Sequence, residues 1–339
     1  VYPMLVARVG ATAQGKLWTG LSAAQLNRLD IYETAFGYDR RAVQVTTADG
    51  ATHAATAYFP PPRLVSGGEP WSYAAWEVSA AAQNLETAQE IAAFDPPLSP
   101  EALARQWPMI AHRADARLRA RATATPATLR HTAAATDAAL DAPPELHGDF
   151  FRFAQLRLQH RRFDGATTPT LIREIFVAVD AAMVLPYDAA RDRVLLVEQF
   201  RVGPFLRADP NPWSLEPVAG IVDAGETPED CARREALEEA GLTITTLEKM
   251  FAFYPSPGSS TDYFHCYLAP FDLPDMGHWH GGLASENEDL RLHVIDRATA
   301  MDLIASGEIA AGPLITMLYW LAANRAQSSD PLDVAPDPP

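Results

Sequence analysis

The chain has 339 residues, more than one typical domain, and 48% of them are hydrophobic, so two cored domains are expected and a disordered protein is excluded. No run of about 18 apolar residues occurs, which excludes a membrane-spanning helix, and the opening Val1-Tyr2-Pro3-Met4 lacks the basic region of a secretory signal. A formal charge of −16 disfavours nucleic acid and anionic membranes as partners, and two cysteines outside any CxxC pair, Cys231 and Cys266, fit a reducing, cytoplasmic setting.

Residues 1–70 alternate like short strands at Val1–Val9, Gly15–Leu21, Ala42–Thr46 and Ala51–Phe59, the last two joined by the hairpin signal Ala48-Asp49-Gly50. Ser22–Glu33 reads as a helix with Ser22 as its N-cap. Gly15-Lys16-Leu17-Trp18, Leu29-Asp30-Ile31-Tyr32-Glu33, Tyr38 and the strand ending at Tyr58 resemble the gamma-glutamylcyclotransferase-like fold, a small β-barrel. The resemblance implies that Glu33 is an acid/base residue; the plainer alternative is a charged residue closing a helix. The family's Tyr-Gly-Thr/Ser-Leu substrate loop is not in the sequence, and with no initiator Met it is expected to lie upstream.

Residues 71–144 read as an Ala-rich helical connector. Trp71–Phe94 and Pro100–Thr123 are helical, the second opening on Ser99-Pro100-Glu101, an N-cap followed by proline. Arg113, Arg117 and Arg121 form one stripe of that helix, expected as a solvated face, with phosphate binding the alternative. Ala133–Pro144 reads as a linker holding the domain boundary.

Residues 145–326 form the second expected domain, with strands at Phe150–Gln159, Thr170–Val179, Ala182–Pro186 and Arg193–Gln199. A helix follows over Thr227–Gly241, then more strands and closing helices at Asp296–Ala305 and Ala311–Ala323; the tail 327–339 is expected to be disordered. Residues 1–144 hold 12 Lys+Arg against 13 Asp+Glu and residues 145–339 hold 15 against 30, so the acidic excess sits in this half. Its densest part is Gly220-Ile-Val-Asp-Ala-Gly-Glu226, seven residues, then Arg234-Glu235-Ala236-Leu237-Glu238-Glu239-Ala240-Gly241-Leu242.

Gly220 and Gly225 mark a loop needing positive φ or close backbone approach. Thr227 caps the helix, with Pro228 at its first position and Asp230 at its third. Glu235, Glu238 and Glu239 project from one face, while Ala232, Ala236, Leu237 and Ala240 are expected to pack the other. Three like charges so close repel one another. A hard divalent cation resolves that repulsion, and Arg234 can hold a carboxylate through a bidentate pair.

The stretch resembles the Nudix box, Gly-x5-Glu-x7-Arg-Glu-U-x-Glu-Glu-x-Gly-U, departing only at Ala236, where a bulky aliphatic is usual. Phe150-Phe151, Arg173-Glu174-Ile175-Phe176, Val197-Glu198-Gln199-Phe200-Arg201, Glu216-Pro217-Val218-Ala219-Gly220 and Ser256-Pro257-Gly258 resemble the ADP-ribose pyrophosphatase branch. So do Gly282-Leu283-Ala284-Ser285-Glu286-Asn287-Glu288-Asp289 and the position of Pro257, fifteen residues past Leu242. The resemblance implies an α/β fold, a Nudix α/β/α sandwich following the β-barrel domain and connector. It also implies a homodimer through the Nudix domain and Mg²⁺-dependent cleavage of ADP-ribose to AMP and ribose 5-phosphate, with Mn²⁺ as a substitute metal.

By the same resemblance the Ala219 carbonyl, Glu235, Glu239 and Glu288 bind the metal, with Glu238 in the cluster and Glu286 the base that activates water. Arg173 and Arg201 hold the diphosphate or adenosine side, Phe150 stacks on adenine, and Ser256 and Pro257 line the ribose end. Plainer alternatives are a surface ion pair for Arg201, a core place for Phe150, and solvated loop carboxylates at Glu286, Glu288 and Asp289. A UDP-sugar or NADH hydrolase and a ligand-sensing module are the competing functions, the latter disfavoured because all box glutamates are present. The fusion of the two domains resembles bacterial tellurite-resistance proteins of this architecture.

Overall fold

The computed structural model describes residues 4–7, 9–62, 71–94, 96–275, 277–283 and 288–328, with side chains to residue 324. The chain divides into two compact units, Val1–Phe176 and Val177–Pro339.

In the first unit, α1 (Ala23–Ala35) starts at Ser22, whose hydroxyl accepts the Gln25 amide while the Gln25 side chain accepts the Ser22 amide. This reciprocal capping box satisfies two otherwise orphaned donors. Strands β1 (Asp39–Thr46) and β2 (Thr52–Phe59) form the expected hairpin, with Gly50 at φ +85°. Among the described residues the expected strands before residue 22 do not form; that stretch is irregular.

The helix expected over Trp71–Phe94 is broken into α2 (Tyr73–Ser79) and α3 (Ala81–Ala92). The Ser79 hydroxyl folds back onto the Ala75 carbonyl, and Ala80 leaves helical geometry at φ −138°. Helix α4 (Pro100–Ala122) buries Leu103, Met109, Ile110 and Ala114 and, unexpectedly, Arg113, only 1% exposed.

The arginine stripe of α4 runs from buried Arg113 through half-buried Arg117 to exposed Arg121. It is one half of an ion-pair ladder against α3. Arg113 Nε donates to Glu90 Oε1 at 2.8 Å, Arg117 reaches Glu86 Oε2 at 2.9 Å and Glu90 Oε2 at 3.2 Å, and Arg121 closes on Glu86. Glu86 and Glu90 are themselves one helical turn apart and buried. The Arg121 and Arg117 guanidiniums hold the Glu86 carboxyl below its ordinary pKa despite burial.

Four further strands complete this unit: β3 (Ala138–Leu140), β4 (Glu145–His147), β5 (Arg152–His160) and β6 (Leu171–Val177), with β5 central and pairing all three others. The expected linker Ala133–Pro144 contains β3, and the first compact unit runs on to Phe176.

The second unit is built on one sheet, in which β11 (Glu248–Phe253), β12 (Tyr263–Pro270), β7 (Asp180–Asp188), β8 (Arg193–Phe200), β14 (Leu290–Asp296) and β13 (Gly277–Gly281) lie side by side. Strands β7 and β12 are parallel; every other pair is antiparallel. Strands β7 and β8 pair only at Tyr187↔Val194 and Asp188↔Arg193 and then part. Into the opening go β9 (Trp213–Glu216), paired to β8, and β10 (Val218–Ile221), paired to β7, with Pro217 between them.

One face of the sheet, with Val184, Leu195 and Leu292, packs on α6 (Pro228–Ala240) through Cys231, Ala232 and Ala236. The other, with Leu185, Leu196 and Cys266, is covered by α7 (Arg297–Ser306) and α8 (Gly312–Ser328). The unit is therefore the expected α/β/α sandwich. A short α5 (Val202–Leu206) follows β8. Among the described residues no helix is long and apolar enough to cross a membrane.

The ladder yields a stability prediction. Glu90→Ala strands the buried guanidinium of Arg113 and should cost about 3–5 kcal/mol in chemical denaturation. A change indistinguishable from that of an exposed substitution would contradict this account of α3 and α4.

Candidate active site

The site forms where β7 and β8 part. Helix α6 starts as its sequence dictates: Thr227 Oγ1 accepts the Asp230 amide at 3.1 Å, Pro228 occupies the first turn, and Gly241 ends the helix in the left-handed conformation at φ +69°. The two box glycines serve different ends. Gly225 adopts φ +84° in the turn before the helix. Gly220, on β10, is required for space: a Cβ there would fall 1.8 Å from Glu235 Oε1. Strand and helix therefore meet with the Glu235 carboxylate lying directly on the Gly220 backbone.

The three box carboxylates are graded in burial. Glu238 is the most open, with a side chain 33% exposed, the Glu235 side chain is 12% exposed, and Glu239 is 3% exposed among the helix's alanines. Ala232, Ala236 and Ala240 are buried as expected, but Leu237 is 54% exposed. At 100° per residue Leu237 falls outside the arc that carries Ala232, Ala236, Glu239 and Ala240. Glu239 falls at the edge of that arc beside Ala232, on the buried side of the helix.

Burial pushes the Glu239 carboxyl up to about 8 despite the Ala219 amide, which donates to its Oε2 at 3.2 Å. Burial likewise raises Glu235 to about 7, against the pull of Arg234 and with Glu238 and Glu288 adding to the rise. Glu288 accepts the Leu283 amide at its Oε2, 3.2 Å away, and its charge acts on both Glu235 and Glu239.

Arg234 binds the motif together. Its Nε and Nη2 grip the two oxygens of Glu226 at 3.0 Å each, and Nη2 also reaches the Ile221 carbonyl at 3.1 Å. Its Nη1 donates to Glu235 at 2.6 Å and to Glu238 at 3.0 Å. One guanidinium thus ties the turn, the end of β10 and the helix. Burial works against the Glu226 charge, yet Arg234 and the Asp223 amide hold its carboxyl below the usual range.

Arg201 makes a bidentate pair with Glu216 of β9, its Nε 2.9 and 3.1 Å from the two oxygens. It is 43% exposed by side chain and feels the charges of Glu239 and Glu288, so it borders the carboxylate cluster with its guanidinium oriented by Glu216. Two glycines the sequence did not single out shape the same place. A Cβ on Gly281 would lie 2.1 Å from the Glu239 carbonyl, and the Gly282 amide donates to that carbonyl at 3.1 Å, so the end of β13 abuts the last turn of α6.

Asp289, with Glu198, Asn211, Trp213, His280 and Arg291, lines a polar cleft of about 420 Å³. Glu198 there accepts from Arg291 at 3.4 Å and pairs with His293 at 2.9 Å. Ser256 and Pro257 lie on the loop between β11 and β12, where Ser256 Oγ contacts Ser259 Oγ at 2.7 Å. Glu286 lies outside the described residues. Phe150 and Arg173 belong to the first unit: Phe150 is 55% exposed, not a core residue, and Arg173 stands exposed on β6.

The donor set suits a hard divalent cation: carboxylates lining a cleft, partly desolvated and raised by each other, with the Gly220 backbone beside them. Among the described residues no finished set of three acidic or imidazole ligands is gathered at one point. Two of the carboxylates, Glu235 and Glu238, are turned onto Arg234. In the first unit, Glu33 lies in the last turn of α1, half-buried, and desolvation raises its pKa. Nearby, Tyr58 donates to Asp30 at 2.6 Å and Arg40 reaches the other Asp30 oxygen at 3.0 Å.

A NUDIX domain model matches residues 178–308, spanning this site. The chain is 37% identical to the ADP-ribose pyrophosphatase of Escherichia coli (strain K12) over 196 residues, 58% of this chain and 93% of the relative. The chain belongs to the Nudix family. The GDP-mannose pyrophosphatase of Escherichia coli (strain SMS-3-5 / SECEC) is 32% identical over 152 residues, 45% of this chain and 78% of that protein. A crystal structure of an ADP compounds hydrolase aligns with a TM-score of 0.43 and 18% identity, covering 57% of this chain and 94% of that one. Residues 1–78 match the gamma-glutamyl cyclotransferase, AIG2-like family model.

The close contact at Gly220 gives a test of this geometry. Gly220→Ala should leave the fold intact, because the clash is with a side-chain carboxylate, while displacing Glu235 and lowering turnover by about 10²-fold. Full activity in that variant would show that Glu235 need not lie on β10.

Proposed function

We propose that the chain hydrolyses the diphosphate bridge of ADP-ribose, giving AMP and ribose 5-phosphate, with Mg²⁺, or Mn²⁺ in its place. The observation that carries the reading is the 37% identity to an ADP-ribose pyrophosphatase across 93% of that protein, together with a box in which Arg234 ties Glu226, Glu235 and Glu238 into one cluster.

In this reading Glu235, Glu239, Glu288 and the Ala219 carbonyl hold the cation. When bound, the cation polarises the phosphoryl oxygens and offsets the charge that accumulates in transfer. Glu238 stays in the cluster, held by Arg234. Glu286 takes the proton from the attacking water. Arg201, fixed by Glu216, faces the diphosphate, and Arg173 assists on the adenosine side. Ser256 and Pro257 line the ribose end, and Phe150 stacks on adenine. A homodimer through the Nudix domain and a cytoplasmic location belong to the same reading, as does a link to tellurite resistance through the fused architecture.

The 32% identity to a GDP-mannose pyrophosphatase favours a second reading, hydrolysis of a different nucleoside diphosphate sugar at the same centre. A product assay on ADP-ribose, GDP-mannose, UDP-glucose and NADH separates the two. Preferential conversion of ADP-ribose to AMP and ribose 5-phosphate supports the first; a higher kcat/KM for another member of the panel replaces it.

A further inference from the structure

Two joined clefts of the second unit lie on the face of its sheet away from α6, outside the box. Glu198 stands two residues from Leu196, which packs under α7 and α8, and so shares its face. Arg291 and His293 alternate with Leu290, Leu292 and Val294, which pack on the α6 side. The floor is one row across four strands: Leu215 of β9 pairs Glu198, Glu198 pairs Arg291 of β14, and Arg291 pairs His280 of β13.

The first cleft is the polar one of about 420 Å³ described above. The second, of about 380 Å³, continues from it: Glu198, Asn211 and Trp213 line both, and the second adds Leu215, Ile295 and Leu303. Each volume falls within the span of small-molecule sites, roughly 300–1,000 Å³. One half is polar, the other partly apolar, and an indole stands where they meet.

That indole is fixed before any ligand arrives. Trp213 is 52% exposed, yet Phe200 braces its ring at 5.6 Å and 72°. The Trp213 amide donates to Asn211 Oδ1 at 3.4 Å, and the Asn211 amide to Asp209 Oδ1 at 3.0 Å. Asn211 thus turns its oxygen onto the chain and keeps its side-chain NH2 to donate. On the floor, Arg291 and His293 both meet Oε2 of Glu198, at 3.4 and 2.9 Å, which leaves Oε1 to accept.

The charges narrow the ligand. Glu198, Asp209, Asp289 and Glu308 line the clefts against one guanidinium, Arg291. A phosphate is repelled there, whereas a neutral ligand is not. Accepting carboxylates beside a donating amide suit a vicinal diol, and an exposed indole next to an apolar wall suits a planar ring. A ribonucleoside without phosphate carries both in one molecule.

We propose that the joined clefts bind a neutral ribonucleoside, with its ribose hydroxyls on Glu198 and Asp289 and its base stacked on Trp213 toward Leu215 and Ile295. An acidic side chain taking the ribose hydroxyls is the recognition that dinucleotide-binding folds use. The site lies across the sheet from the box, so it stands whether or not ADP-ribose is the substrate.

The test titrates the full chain with adenosine, D-ribose, AMP and spermidine, following binding by saturation-transfer NMR. Adenosine should bind most tightly. Trp213→Ala should weaken it about tenfold or more, with ADP-ribose hydrolysis and the circular dichroism spectrum unchanged. Asp289→Ala removes a hydroxyl acceptor without touching the indole and should weaken adenosine severalfold, so it carries the test if Trp213→Ala does not fold. Adenosine affinity unchanged in the folded variants overturns the site. D-ribose binding as tightly as adenosine overturns the stacked base. Trp213-dependent binding of AMP or spermidine that exceeds adenosine's overturns the neutral ligand. A raised KM for ADP-ribose in Trp213→Ala makes the clefts part of the substrate site and overturns the proposal of a separate one.

Discussion

The Nudix box of this chain depends on one guanidinium. Glu226, Glu235 and Glu238 are three carboxylates that would repel one another on a bare turn and helix, and all three take hydrogen bonds from Arg234. The Ile221 carbonyl is a further partner, so the residue that holds these carboxylates also locks β10 to α6. Lysine could not replace it, because a single ammonium cannot present donors in two directions with a fixed geometry.

The opening between β7 and β8 supplies the room. The inserted β9 and β10 bring Glu216, Ala219 and Gly220 to the same end of the sheet as the box helix, and the end of β13 meets that helix through Gly281 and Gly282. Glu239, which Arg234 does not hold, is the carboxylate deepest in the cluster and the one raised furthest by burial. A carboxylate in that state, beside Glu235 and Glu288, gains most from a cation.

The box and its helix were legible because caps, spacing and charge act locally: Thr227, Pro228 and Gly241 mark the ends, and residues four apart must share a face. What sequence could not show was the partner across the gap. The Arg113, Arg117, Arg121 stripe has a clear period, but its meaning lies in Glu86 and Glu90, whose own one-turn spacing on α3 was the available signal. Leu237 was expected inside because it is apolar, yet its angle on the helix places it outside, and a glutamate takes the inner position. Gly281 gave no signal at all, since close approach between distant elements leaves no local pattern. The hairpin at Asp49-Gly50 was readable from its turn, whereas the alternation before residue 22 was not matched by strands.

The central claim, that the desolvated box carboxylates are a divalent-cation site, is tested most directly by titrating Mn²⁺ into the protein and following free Mn²⁺ by electron paramagnetic resonance. Glu239→Gln, which preserves volume and removes one charge, should weaken binding by about tenfold or more with the circular dichroism spectrum unchanged. Equal Mn²⁺ affinity in the folded variant would contradict the account.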